Sequence, residues 1–148
     1  MRALLQRVSH AKVTVDGDVT GQIDEGLLVF LGCGEGDDDE DLEYLVDKLV
    51  NLRIFADDEG RMNLSLLGVQ GQMLVVSQFT LYADTRRGRR PSFTNAMKPG
   101  PAEDLYERFV DAVAERGVQV ATGVFAAMMD VELVNDGPVT IMIDTNGG

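Results

Sequence analysis

LVVSQFTLYADTRRGRRP, residues 74–91, is the stretch from which the fold is read. It opens as a strand, on the apolar and mostly β-branched run Leu74, Val75 and Val76. From Val76 the pattern alternates. A period of two sends Val76, Gln78 and Thr80 to one face and Ser77, Phe79 and Leu81 to the other. Polar groups inside a hydrophobic strand need partners, because each one left unsatisfied costs about 1–3 kcal/mol. The strand runs on into Asp84, Thr85 and four arginines, Arg86, Arg87, Arg89 and Arg90. Pattern alone leaves two readings open. One is a core strand with satisfied hydroxyls and a solvated charged loop. The other is a binding or catalytic site at the end of a central strand.

Outward from that strand, the chain reads as short strands punctuated by turns and interrupted by two helices. Residues 2–8 and 12–16 are expected as strands, with Asp16-Gly17-Asp18 a hairpin turn into a third at 19–23. Residues 27–31 are wholly apolar, as suits a strand buried on both faces. Gly32, Gly34 and Gly36 follow; GCGEG is too short and wrongly placed for a dinucleotide fingerprint and is taken as a loop. Leu42, Leu45, Val46, Leu49 and Val50 recur at helical spacing behind an acidic first turn, so 39–51 is an amphipathic helix. Residues 53–55 are expected as a short strand and 63–67 as irregular or one helical turn. Pro99-Gly100-Pro101 marks a loop, and 102–116 a second helix stopped by Gly117. Strands are expected at 118–121, 129–135 and 139–144, the last two joined by a turn at Asn135-Asp136-Gly137-Pro138. Runs of strands broken by two helices imply one α+β domain, mostly antiparallel, over residues 1–148.

Composition narrows the function classes. A length of 148 residues and 45% hydrophobic content suit a single domain with a sizeable core rather than disorder. No apolar run reaches the roughly 18 residues that cross a bilayer. The opening MRALLQRVSH lacks an apolar region followed by a small-residue cleavage site. A cytoplasmic, soluble protein is expected. One cysteine, Cys33, excludes an internal disulfide and a CxxC metal site. The net charge of −12 argues, taken whole, against a nucleic-acid partner. The basic residues are nevertheless concentrated between Arg86 and Lys98, which leaves a locally positive face possible on an acidic protein.

The side chains that could do chemistry are few. His10 is the one histidine, so a Ser-His-Asp triad would have to use it, and spacing does not place it near Ser77. Zinc wants three or four His, Cys or acidic ligands. Cys33 follows a buried strand and is expected to be inert. An enzyme built on this chain works without metal or cofactor and without an obvious protein base. It relies on backbone N–H groups around a developing oxyanion and on a reactive group of the substrate.

Longer segments carry a resemblance. SQFTLYADTRRGRRPSF at 77–93, LVNDGPVT at 133–140, LRIFADDEGRMNLSL at 52–66 and GLLVFLG at 26–32 together make the chain similar to the D-aminoacyl-tRNA deacylases, also called D-tyrosyl-tRNA deacylases. The resemblance covers nearly the whole chain, with SQFT and Gly-Pro-Val-Thr intact and in order. It implies hydrolysis of the ester between a D-amino acid and the terminal ribose of tRNA, and release of glycine mischarged on tRNA. It also implies a homodimer of compact, barrel-like α+β subunits. Each active site then joins the SQFT strand of one subunit to a cis Gly-Pro turn of the other. No metal takes part, and the terminal 2′-hydroxyl assists.

Carried onto this sequence, the resemblance makes Ser77, Gln78, Phe79 and Thr80 the catalytic segment. The Phe79 and Thr80 amides face the scissile carbonyl. Gly137 and Pro138 form the turn that rejects L-residues, and Arg7 helps to hold it. The arginines Arg86, Arg87, Arg89 and Arg90 are the expected tRNA contacts. One segment departs from the pattern: where the family has Phe-Gly-Ala-Asp-Met around the adenosine pocket, this chain has Phe125-Ala126-Ala127-Met128-Met129. Two other classes of function stay open on the same scaffold, a small-molecule esterase and a non-catalytic binder of the tRNA 3′ end.

Overall fold

Strands β3 (Gly26–Gly32) and β6 (Gln72–Ser77) run parallel through the middle of the molecule, and the rest is arranged on their two faces. The structure is a computed structural model describing residues 1–147. Leu27, Val29 and Leu31 of β3 enter one core with Met73 and Val75 of β6; Leu28, Leu74 and Val76 enter another. A strand buried on both faces needs apolar residues at both parities, which is why GLLVFLG shows no alternation.

The main sheet runs β2 (Asp18–Ile23), β1 (Arg2–Val15), β3, β6, β7 (Gln119–Thr122), and β8 (Asp130–Asp144) also pairs with β1. The three ladders of β1 are antiparallel; β3–β6 and β6–β7 are parallel. The sheet curls until Gly21 of β2 lies on the backbone of Thr122 of β7, where any Cβ would collide with the Thr122 carbonyl. The result is a nearly closed barrel of mixed strands, filled by Val8, Ala11, Val13, Ile23, Leu28, Leu74 and Val76. The expected barrel-like α+β fold is what the chain adopts.

Two main helices cover the outer faces of β3 and β6. Helix α1 (Asp39–Asn51) has the expected bounds. Asp38 caps it by accepting from the Glu40 and Asp41 N–H groups, while the Asp41 carboxylate accepts from the Asp38 N–H. Helix α3 (Pro99–Glu115) buries Ala102, Leu105, Tyr106, Phe109 and Val113. It begins three residues before the expected 102, because proline is tolerated in a first turn that has no intrahelical donor to lose. Between them, β4 (Phe55–Ala56) pairs with β5 (Met62–Leu64), and a single turn α2 (Leu66–Val69) is capped by Ser65, whose hydroxyl accepts from Gly68 at 3.0 Å.

Two expected breaks turn out to be bulges inside long strands. Residues 2–8 and 12–16 do not form separate strands but the single β1. Its register against β8 shifts between Val8 and His10, which leaves Ser9 as an extra residue. The shift turns the strand over, so Ala3 and Leu5 face the helices whereas Val8, Ala11 and Val13 face the barrel interior. Residues 129–135 and 139–144 likewise merge into β8, and the expected hairpin turn at 135–138 is an excursion within it. Gln6 pairs with Thr140 and Val8 with Asn135, so four residues of β8 stand opposite Arg7 alone.

Candidate active site

The central strand does not carry its alternation through SQFT. β6 ends at Ser77, Gln78 leaves the extended region in ψ at 82°, and Phe79–Tyr82 is a 3₁₀ turn. The last ladder bond runs from the Gln78 N–H to the Leu31 carbonyl at 2.8 Å. The turn then closes with Leu81 N–H on the Gln78 carbonyl at 3.2 Å and Ala83 N–H on the Thr80 carbonyl at 3.0 Å. The expected division of Gln78 and Thr80 from Ser77 and Phe79 into opposite strand faces is therefore wrong. The first N–H groups of such a turn have no partner within it. Among the described residues, those of Phe79 and Thr80 meet no acceptor. The Gln78 side-chain amide donates to the Thr80 hydroxyl oxygen, which leaves the Thr80 O–H to donate elsewhere. Phe79 is half exposed, with its ring edge-on to Phe93 at 5.1 Å.

Beside this turn opens a cavity of about 650 Å³. Ser77, Gln78 and Phe79 form one wall, Phe93, Met97 and Lys98 a second, and residues 125–129 a third. A largely apolar cavity of this size with a few polar groups at its edge suits a planar, partly polar ligand such as a nucleoside. The wall at 125–129 is the segment that the resemblance sets around the adenosine pocket; the wall at 93–98 was not assigned a pocket role from the sequence, because it is a loop with no pattern of its own. Cys33 also lines the cavity. Burial pushes its thiol up to about 12, and Asp37 adds to the shift, so it is protonated and unreactive at neutral pH. Glu35 is the one carboxylate on the cavity among the described residues. His10 is exposed on the β1 bulge and does not line it.

Gly137 and Pro138 sit on the β8 excursion, with a cis peptide bond between them. Arg7, directly opposite, pins its base. Its Nε donates to the Asp136 carbonyl at 3.2 Å and lies 3.1 Å from the Asp136 carboxylate; its Nη1 donates to the Ile54 carbonyl at 2.6 Å. Asn135 Nδ2 donates to the carbonyls of Arg7 and Val139 at 2.9 and 3.1 Å. Residues 136–138 are exposed, and neither Gly137 nor Pro138 lines the cavity of its own chain. One chain thus brings Ser77, Gln78, Phe79 and Thr80 together and leaves Gly137 and Pro138 exposed and off the cavity.

The arginine loop is closed by a two-bond bridge between Asp84 and Ser92, at 2.7 and 2.9 Å. The four arginines are not equivalent. Arg86 grips the Asp84 carboxylate at both oxygens, 3.0 and 2.8 Å, and holds the Asp84 pKa down to about 2. Arg87, Arg89 and Arg90 are exposed and enter no ion pair among the described residues.

The chain is similar to known proteins in sequence and in fold. The family model described as D-Tyr-tRNA(Tyr) deacylase matches residues 4–144. The protein named D-aminoacyl-tRNA deacylase in Halothermothrix orenii is 60% identical over 146 residues, which cover 99% of this chain and 98% of that one. The protein of the same name in Roseiflexus castenholzii is 59% identical over 145 residues, 98% of this chain and 92% of that one. Among solved structures, the c-Myc DNA Unwinding Element Binding Protein superposes with a TM-score of 0.93 at 38% identity, covering 98% of this chain and 99% of that one. A probable eukaryotic D-amino acid tRNA deacylase superposes at 0.81 with 21% identity, covering 96% and 97%, a likeness of fold. The chain belongs to the D-Tyr-tRNA(Tyr) deacylase family.

Proposed function

We propose that this chain is a D-aminoacyl-tRNA deacylase, a hydrolase that cuts the ester between a D-amino acid and the terminal ribose of tRNA and also removes mischarged glycine. The observation that carries the reading is the pair of unpartnered N–H groups, Phe79 and Thr80, beside a cavity of nucleoside size. The terminal adenosine enters the cavity, and its acylated ribose presents the ester carbonyl to the turn. Water adds to the carbonyl carbon, and the oxygen that becomes negative is held by the two amides, with the Thr80 O–H as a further donor. Collapse of the intermediate breaks the bond to the ribose oxygen. The proton lost by the water reaches that oxygen through the neighbouring 2′-hydroxyl. No protein base is needed, in keeping with a protonated Cys33 and a Gln78 that can only orient.

Selectivity is assigned to a second copy of the chain. In the proposed homodimer, Gly137 and Pro138 of one subunit approach Thr80 of the other and present backbone carbonyls to the α-carbon. A D-residue offers its amino group to those carbonyls; an L-residue would place its side chain there, and glycine has none to clash. Arg87, Arg89 and Arg90 meet tRNA phosphates, with Arg86 shaping their loop. The whole chain, 1–148, works as one domain in the cytoplasm, where charged tRNA is used. Among the described residues no helix is long and apolar enough to cross a membrane.

The test is deacylation of D-tyrosyl- and L-tyrosyl-tRNA in parallel, with a free D-tyrosine ester as a third substrate. Fast release from the D-tRNA alone is expected. Equal turnover of the free ester would make the chain a small-molecule esterase, and binding of charged tRNA without release would make it a 3′-end binder.

A further inference from the structure

The Phe79–Tyr82 turn is held from outside the cavity by groups that no part of the reaction described above uses. Arg2 Nη1 donates to the Leu81 carbonyl at 2.8 Å, and its guanidinium carbon lies 4.4 Å from the centroid of the Tyr82 ring. Arg2 Nε is fixed in turn by the Asp144 carboxylate at 2.9 Å. On the far side the Tyr82 O–H donates to Asp37 Oδ2 at 3.4 Å, and the same oxygen accepts the Gly34 N–H at 2.6 Å. The Tyr82 ring is seated on Gly34, where a Cβ would stand 2.6 Å from it. Gly32 gives the same kind of room, since a Cβ there would stand 3.1 Å from both the Gln78 carbonyl and the Leu81 Cβ. None of Arg2, Gly34, Asp37 and Tyr82 lines the cavity.

The geometry points to Arg2 and Tyr82 as positioning residues of the hydrolysis, which aim the Phe79 and Thr80 N–H groups without touching the substrate. The inference rests on the reading that those amides hold the oxyanion. The bond from Leu81 N–H to the Gln78 carbonyl closes a small ring that contains the peptide units of Phe79 and Thr80. Rotation of one peptide plane in such a ring tilts the others. Arg2 fixes the Leu81 carbonyl, in the peptide unit that directly follows the ring, and the ladder bond from Gln78 N–H to Leu31 fixes the strand end before it. Arg2 donates to Asp144 and Leu81, neither of which belongs to the cavity walls at 93–98 and 125–129. Its loss therefore acts on the chemical step and leaves ground-state binding alone.

The experiment combines steady-state kinetics on D-tyrosyl-tRNA with the amide NMR resonances of Phe79 and Thr80 in the full chain. Arg2→Met keeps an apolar stem over the Tyr82 ring but removes the bond to Leu81. It is expected to lower kcat about 10- to 100-fold, to leave KM within about twofold, and to move both resonances. Arg2→Lys, with one donor in reach instead of a planar fork, recovers part of the loss. Tyr82→Phe keeps the ring and loses one long hydrogen bond, so kcat falls about threefold. It also decides the matter if Arg2→Met does not fold. Unmoved resonances with unchanged kcat in these variants overturn the proposal and leave the oxyanion reading intact. Moved resonances with unchanged kcat overturn both. A rise in KM at constant kcat overturns the proposal by placing Arg2 in binding.

Discussion

The Phe79–Tyr82 turn ends the short strand β6, the 136–139 excursion interrupts the long strand β8, and the two are held in opposite ways. The turn is braced by its own chain, with Leu31 and Gly32 beneath it and Arg2 at its end, and it opens on a cavity in front. The excursion is pinned only at its base, by Arg7 and Asn135, and its tip is exposed. A rigid, internally braced element suits the stabilisation of charge in a transition state, because its donors are already aimed. An exposed tip suits contact with another body. In a two-fold dimer each surface meets its counterpart reciprocally, so one tip can complete each cavity.

The largest expected effect separates the two by chemistry. Charged tRNA lacking the terminal 2′-hydroxyl should be cleaved about 10²- to 10⁴-fold more slowly, the range for loss of a proton-transfer partner. Thr80→Ala should cost no more than about tenfold, since it deletes one hydrogen-bond donor among three. Glu35→Gln should be nearly silent. Normal turnover of the deoxy substrate together with an inactive Thr80→Ala would make Thr80 the nucleophile and the turn a covalent centre.

Next comes the excursion. Arg7→Met removes hydrogen bonds to the Asp136 and Ile54 carbonyls, each worth about 1.5–3 kcal/mol when the donor is charged. The tip loses its fixed aim, and discrimination between D- and L-tyrosyl-tRNA should fall about 10- to 100-fold. The D-substrate rate should hold within a few-fold. Sedimentation must show the variant in the same oligomeric state as the parent chain; an unchanged D-to-L ratio in that state would remove the excursion from the proposed filter.

The contrast also explains what the sequence disclosed. α1 was readable to the residue because Leu42, Leu45, Val46, Leu49 and Val50 mark one face and Asp38 caps it, all within local reach. β3 was readable because burial on both faces leaves no polar residue in the run. SQFT and Gly137-Pro138 were visible as motifs, yet their shapes were not. Period-two alternation continues through Gln78 and Thr80 in sequence, while the strand ends at Ser77 because Gly32 and Gly34 make room for a turn on another segment. The β8 excursion looked like a hairpin because local turn chemistry does not reveal that both flanks pair with one strand. Nor does sequence tell Arg86, bound to Asp84, from the three arginines that enter no ion pair among the described residues.

That last distinction yields a smaller effect, on binding. Changing Arg87 and Arg89 together to glutamine should reduce the slope of log K against log salt by about 1.4–1.8, at 0.7–0.9 per phosphate contact. Arg86→Gln should change the slope less, since its charge is already committed to Asp84. Equal slopes in all variants would make the loop a solvated one.

The smallest effect lies at the cavity's third wall, where this chain departs from the family pattern. Ala127 N–H donates to the Val124 carbonyl at 3.2 Å, and Ala126, third in that turn, has φ of 63°. A left-handed residue at the third position favours glycine, because a Cβ there crowds the following carbonyl at a cost of about 1–2 kcal/mol. Ala126→Gly relieves that strain but gives the unfolded chain more freedom, worth about 0.4–1 kcal/mol in the other direction. A net gain of about 0.5 kcal/mol remains, or about 1–2 °C in Tm for a chain of this size. Ala126 is exposed, so no packing is lost to offset it. The denaturant midpoint should rise with m unchanged, and kcat on D-tyrosyl-tRNA should stay level. A fall in the midpoint would mean that the methyl group itself is held by the wall. A fall in kcat at equal stability would mean that the ordered 125–129 wall, rather than the turn alone, sets the position of the terminal nucleoside.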